Sequence, residues 1–215
     1  MTRYVMVADL RRCIGCQTCT AACKMANGTP PGVQWRRVID MEMGVYPDVK
    51  RVFIPTGCQH CSNPPCLDVC PSGATQQRSD GIVNIDYDLC IGCASCALAC
   101  PYGARYLVNE QQFAYGDKPT KDEEINYNPD NLGVATKCDF CADVIDEGIA
   151  NGLTPGIDPE ATPRCVNSCI SGAMTFGDID DPESNVSKLL QSTKNFRMQE
   201  EEGTDPGFYY ILDEG

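Results

Sequence analysis

The sixteen cysteines of this 215-residue chain fall into four groups of four with none left over. The first, RRCIGCQTCTAACK, sets Cys13, Cys16, Cys19 and Cys23 in a C-x2-C-x2-C-x3-C run. The second, CQHCSNPPCLDVCP, holds Cys58, Cys61, Cys66 and Cys70 with a widened middle gap, and the third, CIGCASCALACP, repeats the first spacing with Cys90, Cys93, Cys96 and Cys100. The fourth is stretched: Cys138 and Cys141 lie in KCDFC, Cys165 and Cys169 in CVNSC. Three thiolates within seven residues on a turn can take three iron corners of a cubane, because the chain curls around it and points N–H groups at the sulfides. Structural zinc uses two C-x2-C knuckles from separate segments and has no use for a third cysteine three residues on. Only the fourth group, taken alone, would pass as a zinc site. Fourfold repetition, with Pro after Cys70 and Cys100, points to four [4Fe-4S] clusters, with zinc or disulfides as the minor alternatives.

The sole histidine, His60, lies between two ligands of the second group. That group already has four cysteines, so His60 reads as a polar neighbour near a cluster edge rather than a ligand. Lys24, Arg105, Lys137 and Arg164 stand beside a cysteine or shortly after one; each either raises the potential of a nearby cluster or is solvated surface charge. The formal charge of -13 argues against nucleic acid, whose phosphates it would repel, and is otherwise a solubility device. The start, MTRYVMVADLRRC, lacks the basic and apolar regions of a secretory signal, and no stretch approaches the roughly 20 apolar residues of a membrane span. The expectation is a chain with no span of its own that meets a membrane only through a partner.

The positioning elements are ferredoxin-like. In a two-cluster ferredoxin each motif supplies three cysteines to one cluster and its fourth to the other. Groups two and three form one such unit, joined by a linker with a turn at Ser79-Asp80-Gly81 and a short strand over Ile82, Val83 and Ile85. Crossing gives cluster C on Cys58, Cys61, Cys66 and Cys100, and cluster D on Cys90, Cys93, Cys96 and Cys70. By elimination groups one and four pair: cluster A on Cys13, Cys16, Cys19 and Cys169, cluster B on Cys138, Cys141, Cys165 and Cys23. A C-x-x-G-A repeat at Cys70, Cys100 and Cys169 supports the common ancestry of the motifs, its Gly making the turn that leaves each short helix.

The fold class is therefore α+β: two bacterial-ferredoxin-like modules, one inserted in the other, with loop-rich insertions and a C-terminal tail. Residues 1–51 plus 133–180 make the outer module and 52–109 the inner one. Residues 110–132 form a surface insertion, within a polar excursion that reaches 136, and 148–164 a second connection. CADVIDEGIANG predicts a short helix with Val144, Ile145 and Ile149 on one face, ending near Gly152. Residues 181–215 are a C-terminal helix, with Val186, Leu189 and Leu190 packing, and a tail. Its apolar stretch Phe208 to Leu212 either folds back on the core or docks on a partner, and the partner-contacting role is the one carried forward.

Four cysteines per cluster leave no iron corner open to substrate, so the chain passes single electrons and is not an enzyme by itself. TKCDFC, CPSGA, CPYGA and GTDPGFYY, with the four groups in this order, resemble the four-cluster electron-transfer subunits of the dimethyl sulfoxide reductase family of molybdopterin enzymes, of the polysulfide, thiosulfate, arsenate, sulfite or phenylacetyl-CoA oxidoreductase type. The resemblance spans nearly the whole chain and implies the same crossed pairing. It also implies a large molybdenum or tungsten bis-pterin catalytic subunit, a membrane quinone-reactive subunit, and a peripheral position on a membrane-associated complex whose face is left open. A free-standing polyferredoxin and a redox-inactive zinc scaffold are the competing readings.

Overall fold

YVMVAD is apolar at every position but its last, the pattern of a strand covered on both faces, and it forms β1 (Tyr4–Asp9), buried along its full length. The computed structural model describes residues 2–212; the expected tail reaches 213–215, which lie outside the described residues. In chain order there follow α1 (Thr18–Asn27), β2 (Arg36–Val45), β3 (Asp48–Gly57), α2 (Pro65–Asp68), β4 (Thr75–Gln77), β5 (Val83–Ile85), α3 (Ser95–Ala99) and β6 (Tyr106–Leu107). Then come α4 (Lys121–Asn126), β7 (Ala135–Thr136), α5 (Ala142–Ala150), α6 (Arg164–Asn167), β8 (Met174–Asp178), α7 (Asn185–Ser192), β9 (Asn195–Arg197) and β10 (Phe208–Ile211).

β1 lies inside a four-stranded sheet of order β8-β1-β10-β9, antiparallel to β8 and parallel to β10. Strand alternation sends Tyr4, Met6 and Ala8 with Phe176, Phe208 and Tyr210 toward the cysteine-bearing core, and Val5, Val7 and Ile211 to the other face under α7. Val186 is fully buried there with Leu189 and Leu190 against it, and Ser184 caps the helix by accepting from the Ser187 N–H at 3.1 Å. The apolar tail stretch is thus used within the chain itself: Phe208, Tyr210 and Ile211 are buried in β10, correcting the expectation that this part of the tail contacts a partner.

β4 and β5 pair as the linker pattern predicts, the strand beginning at Val83 after the turn. α5 also forms as expected, but it buries Ile145 and Gly148 and leaves Ile149 47% exposed. The backbone of Gly148 runs so close to Ala161 that a Cβ there would lie 2.3 Å from the alanine methyl, and this contact turns Ile149 outward. The long hairpin of β2 and β3, in register from Arg36↔Gly57 to Val45↔Asp48, was not anticipated. Its signal is present as period-two alternation in VIDMEMGV before a Tyr-Pro-Asp turn. The base of the hairpin is held by Arg37, which donates to the carbonyls of Tyr102 (2.8 Å) and Gly103 (3.2 Å), while its tip at Val45 and Tyr46 is exposed.

Arg78, just after β4, donates two bonds to Asp146 on α5 and one to Asp80. The guanidinium hydrogen bonds hold the Asp146 carboxyl below its ordinary value. A carboxylate with a lowered folded pKa stabilises the fold above its unfolded pKa and loses that contribution as pH falls through the folded one. Arg78→Ala is therefore expected to lower stability by no more than about 1 kcal/mol at neutral pH, since the pair is largely solvated. The gap to the parent should close as the pH drops below about 4, read from denaturant midpoints at several pH values.

Candidate metal centres

Three of the four predicted quartets line pockets. Cys13, Cys16, Cys19 and Cys169 surround one, with Val38, Pro55 and Met174 as apolar walls. Cys58, Cys61, Cys66 and Cys100 surround a second beside Pro65 and Arg105. Cys70, Cys90, Cys93 and Cys96 surround a third with Ile85 and Ala135. Cys23, Cys138, Cys141 and Cys165 are all buried, and as thiolates Cys23, Cys138 and Cys165 would repel one another across the core. Among the described residues no set of three or more His, Cys, Asp or Glu side chains meets the geometry for a single metal ion. Donors around one zinc stand roughly 4 Å apart, whereas the cysteine quartets line spaces between elements.

Helix geometry explains how one motif serves two places. Cys19 and Cys23 sit on one face of α1, one turn and about 6 Å apart, and Cys165 and Cys169 span α6 and the turn after it. In each pair one cysteine, Cys19 or Cys169, lines the pocket with Cys13 and Cys16, and the other, Cys23 or Cys165, does not. α1 runs four residues past Cys23 and closes at Gly28, whose φ of 54° is left-handed. Lys24 is therefore interior to a helix, a place Pro would break. Its ammonium donates to the carbonyls of Thr29 (2.6 Å) and Pro30 (2.7 Å), tying down the loop after the helix. By contrast α3 ends at Ala99 and Cys100 is extended (φ -81°, ψ 112°), the conformation a following Pro prefers. The repeat glycines Gly73, Gly103 and Gly172 have φ of 70°, 56° and 59°, and each donates its N–H back to Cys70, Cys100 or Cys169 in the expected turn.

Sulfur receives the donors an iron-sulfur site needs. Backbone N–H groups of Thr75, Ala173 and Ala135 donate to Cys70, Cys169 and Cys90 at 3.4, 3.3 and 3.4 Å. A hydroxyl two residues on accompanies Cys16 (Thr18, 3.3 Å) and Cys93 (Ser95, 3.5 Å). Burial pushes the Cys70 thiol up, but the bonds from Thr75 and Ser72 outweigh it and bring it down to about 7. Burial dominates deeper in: Cys23 and Cys61 are pushed up to about 12, and Cys138 and Cys141 also rise. These sulfurs exist as thiolates only where iron replaces the proton.

The interior also holds cations that make no ion pair with a carboxylate among the described residues. Arg105 is buried and donates to Cys66 Sγ at 3.0 Å and to Thr75 Oγ1 at 3.0 Å. Lys137 is buried and donates to the carbonyls of Cys138 (2.8 Å) and Val83. Arg36 is 1% exposed; Nη2 donates to Met6 Sδ at 3.0 Å, the guanidinium lies 4.9 Å from the Phe208 ring centroid, and Nε and Nη1 have no hydrogen-bond partner among the described residues. A cation–π contact is worth about 0.5–2 kcal/mol, less than the several kcal/mol of desolvating an unpaired ion. The thiolates of loaded quartets, roughly -2 per cluster, supply the missing counter-charge. Donor set, N–H bonds and buried cations all suit [4Fe-4S] clusters. Of the four cations singled out in the sequence, Arg105 reaches a cysteine sulfur, Lys137 is buried on the carbonyls of Val83 and Cys138, Lys24 is a helix and loop tie, and Arg164 is exposed. Arg36 has no motif to mark it, and only the fold reveals its role.

His60 is buried rather than placed at a rim. Its Nδ1 accepts from the Val83 N–H at 3.0 Å and its ring stacks on Phe140 at 3.6 Å. Burial, then the charges of Lys137, Arg36 and Arg105, hold it neutral, far below its ordinary pKa. It supports β5 and lines none of the three cysteine pockets.

Small sheets, short helices and cysteine quartets define a class, an iron-sulfur electron-carrying protein of ferredoxin type. A 4Fe-4S dicluster domain matches residues 49–115. The chain is 40% identical to the B subunit of selenate reductase from Mesobacillus selenatarsenatis over 97% of its own length and 72% of the relative's. It is 37% identical to the B subunit of tetrathionate reductase from Salmonella typhimurium (97% and 72%) and 34% to the arsenate respiratory reductase iron-sulfur subunit of Shewanella sp. strain ANA-3 (97% and 96%). The chain belongs to the four-cluster [4Fe-4S] electron-transfer subunits of the dimethyl sulfoxide reductase family of molybdopterin oxidoreductases. No helix among the described residues is long and apolar enough to cross a membrane.

Proposed function

We propose that this chain is the non-catalytic electron wire between a molybdenum or tungsten bis-pterin catalytic subunit and a second redox partner, a membrane quinone-reactive subunit. The observation that carries the reading is the gathering of three cysteines of one motif with the last cysteine of another around each of three pockets. On this reading cluster A is held by Cys13, Cys16, Cys19 and Cys169, B by Cys138, Cys141, Cys165 and Cys23, C by Cys58, Cys61, Cys66 and Cys100, and D by Cys90, Cys93, Cys96 and Cys70. The ferredoxin-like module of 52–109 sits within an outer one formed by 1–51 and 133–180. When bound, each cluster stores and releases one electron without bond making.

On this reading the wire runs from A through B and C to D. α1 and α6 bridge A and B, the Cys66 to Cys70 and Cys96 to Cys100 segments bridge C and D, and Cys58 lies near Cys138, joining B to C. Cys16 and Cys93 are exposed, whereas Cys23, Cys138, Cys61 and Cys66 are buried. The two ends of an A-B-C-D relay therefore reach the surface and the middle stays dry, an arrangement that suits partners at opposite ends and a peripheral position on a membrane complex.

Anaerobic analysis of the native protein is expected to give roughly sixteen iron and sixteen sulfide per chain. It should copurify with a large subunit containing molybdenum or tungsten. Stoichiometric zinc without sulfide would refute cluster binding, and a self-sufficient monomer active with several soluble reductases would replace the subunit reading with a polyferredoxin.

A further inference from the structure

We propose that Arg36 is the tuning residue of the wire: it holds up the reduction potential of the buried centre on Cys23, Cys138, Cys141 and Cys165, so that this centre accepts the electron arriving from its solvent-facing neighbour. The inference rests on the ligand assignment above. Arg36 opens β2, which packs directly against α1, the helix that carries Cys19 and Cys23. Its guanidinium is interior, with one edge taken up by Met6 Sδ and one face by Phe208. Nε and Nη1 are buried without a hydrogen-bond partner among the described residues, on a side chain only 1% exposed. The thiols whose charge would act on it once they hold iron are those of Cys165, Cys138, Cys23 and Cys19; on the assignment above the first three belong to one quartet and the fourth to the next. Nη1 also comes 3.4 Å from where a Cβ on Gly57 would stand, one residue before Cys58.

The other two interior cations do not share this position. Arg105 spends its donors on Cys66 and Thr75, within the C quartet, and Lys137 spends its ammonium on two carbonyls. A guanidinium stays protonated at any accessible pH, and a fixed positive charge in a dry interior favours the more negative, reduced form of whatever it faces. One electron enters from one neighbouring centre and one leaves to the next; no bond or proton changes, and Arg36 remains a cation throughout. Without it, the most buried quartet of a chain with net charge -13 would be the hardest to reduce and would block the relay.

The test is an EPR-monitored potentiometric titration of the intact loaded protein, comparing the parent with Arg36→Gln, Arg36→Lys and Cys138→Ser. Arg36→Gln is expected to lower the reduced-to-oxidised ratio of one signal at least tenfold at fixed ambient potential, about 59 mV for a one-electron couple. That signal should be the one Cys138→Ser removes, and Arg36→Lys should stay within about threefold of the parent. A fully loaded Arg36→Gln with four unchanged midpoints, or a shift in a signal that Cys138→Ser leaves intact, would overturn the proposal. Iron loss in the glutamine variant with full loading of the lysine variant supports a charge requirement. Iron loss in both makes Arg36 a packing residue and overturns it. If Cys138→Ser and Cys13→Ser remove the same signal, the ligand assignment fails instead.

Discussion

Cys23→Ser is expected to remove the EPR signal of the centre that Cys138→Ser removes, while Cys19→Ser removes the one that Cys169→Ser removes. Each variant should hold roughly twelve iron instead of sixteen if loss is confined to one cluster. The reason is the rise of α1: one helical turn of about 6 Å carries the chain from the pocket edged by Cys13 and Cys16 to the core beside Cys138 and Cys165. Serine keeps the helix and nearly the volume but replaces a soft thiolate with a hydroxyl that does not ionise in a dry site, so the defect should be local to one cluster. Two neighbouring residues on the same face would then report on different centres. If Cys19→Ser and Cys23→Ser deplete one and the same signal, the four cysteines of the first motif form a single site and the nested arrangement is wrong.

Lys24→Pro is expected to be the most damaging single change outside the cysteines. It deletes a backbone donor and drives a ring into the preceding turn of a ten-residue helix, a cost of about 3 kcal/mol before any cluster is considered. It also biases Cys23 away from helical geometry, so both Cys19 and Cys23 are misplaced and two centres should be lost. Lys24→Ala, which keeps the helix and drops only the bonds to Thr29 and Pro30, should cost about 1–2 kcal/mol. Pro101→Lys, at the corresponding place in the third motif, should load normally because α3 has already ended at Ala99. Iron content and far-ultraviolet circular dichroism of the three variants decide it; a Lys24→Pro protein with full iron and unchanged helix would show that α1 does not position Cys23.

How legible the molecule was follows the range of the forces involved. Cysteine spacing is legible because a cubane is held by residues within one turn of chain, so C-x2-C-x2-C writes its geometry locally, as do the turn at Ser79-Asp80-Gly81 and the cap at Ser184. The face of α5 departs from its periodicity at Ile149 because Gly148 lies against Ala161, a residue beyond a loop, and periodicity carries no information about that neighbour. The β2 and β3 hairpin carries its signal locally, in the alternating apolar and acidic residues of VIDMEMGV.

The sequence by itself determined the chemistry: sixteen thiols in four groups, spaced for iron-sulfur clusters rather than for zinc, in the order that marks the family. Only the tertiary structure decided where charge and apolar surface go. It folded Phe208 and Tyr210 beside β1, some two hundred residues back along the chain. It buried His60 as a neutral support, and it buried Arg36, unmarked by any motif, against Met6 and Phe208 in the core that also holds Cys23, Cys138 and Cys165. Ligation is a matter of short-range covalent geometry, which spacing records; burial and electrostatic field depend on what the whole chain packs around a point, which no local run of residues can record.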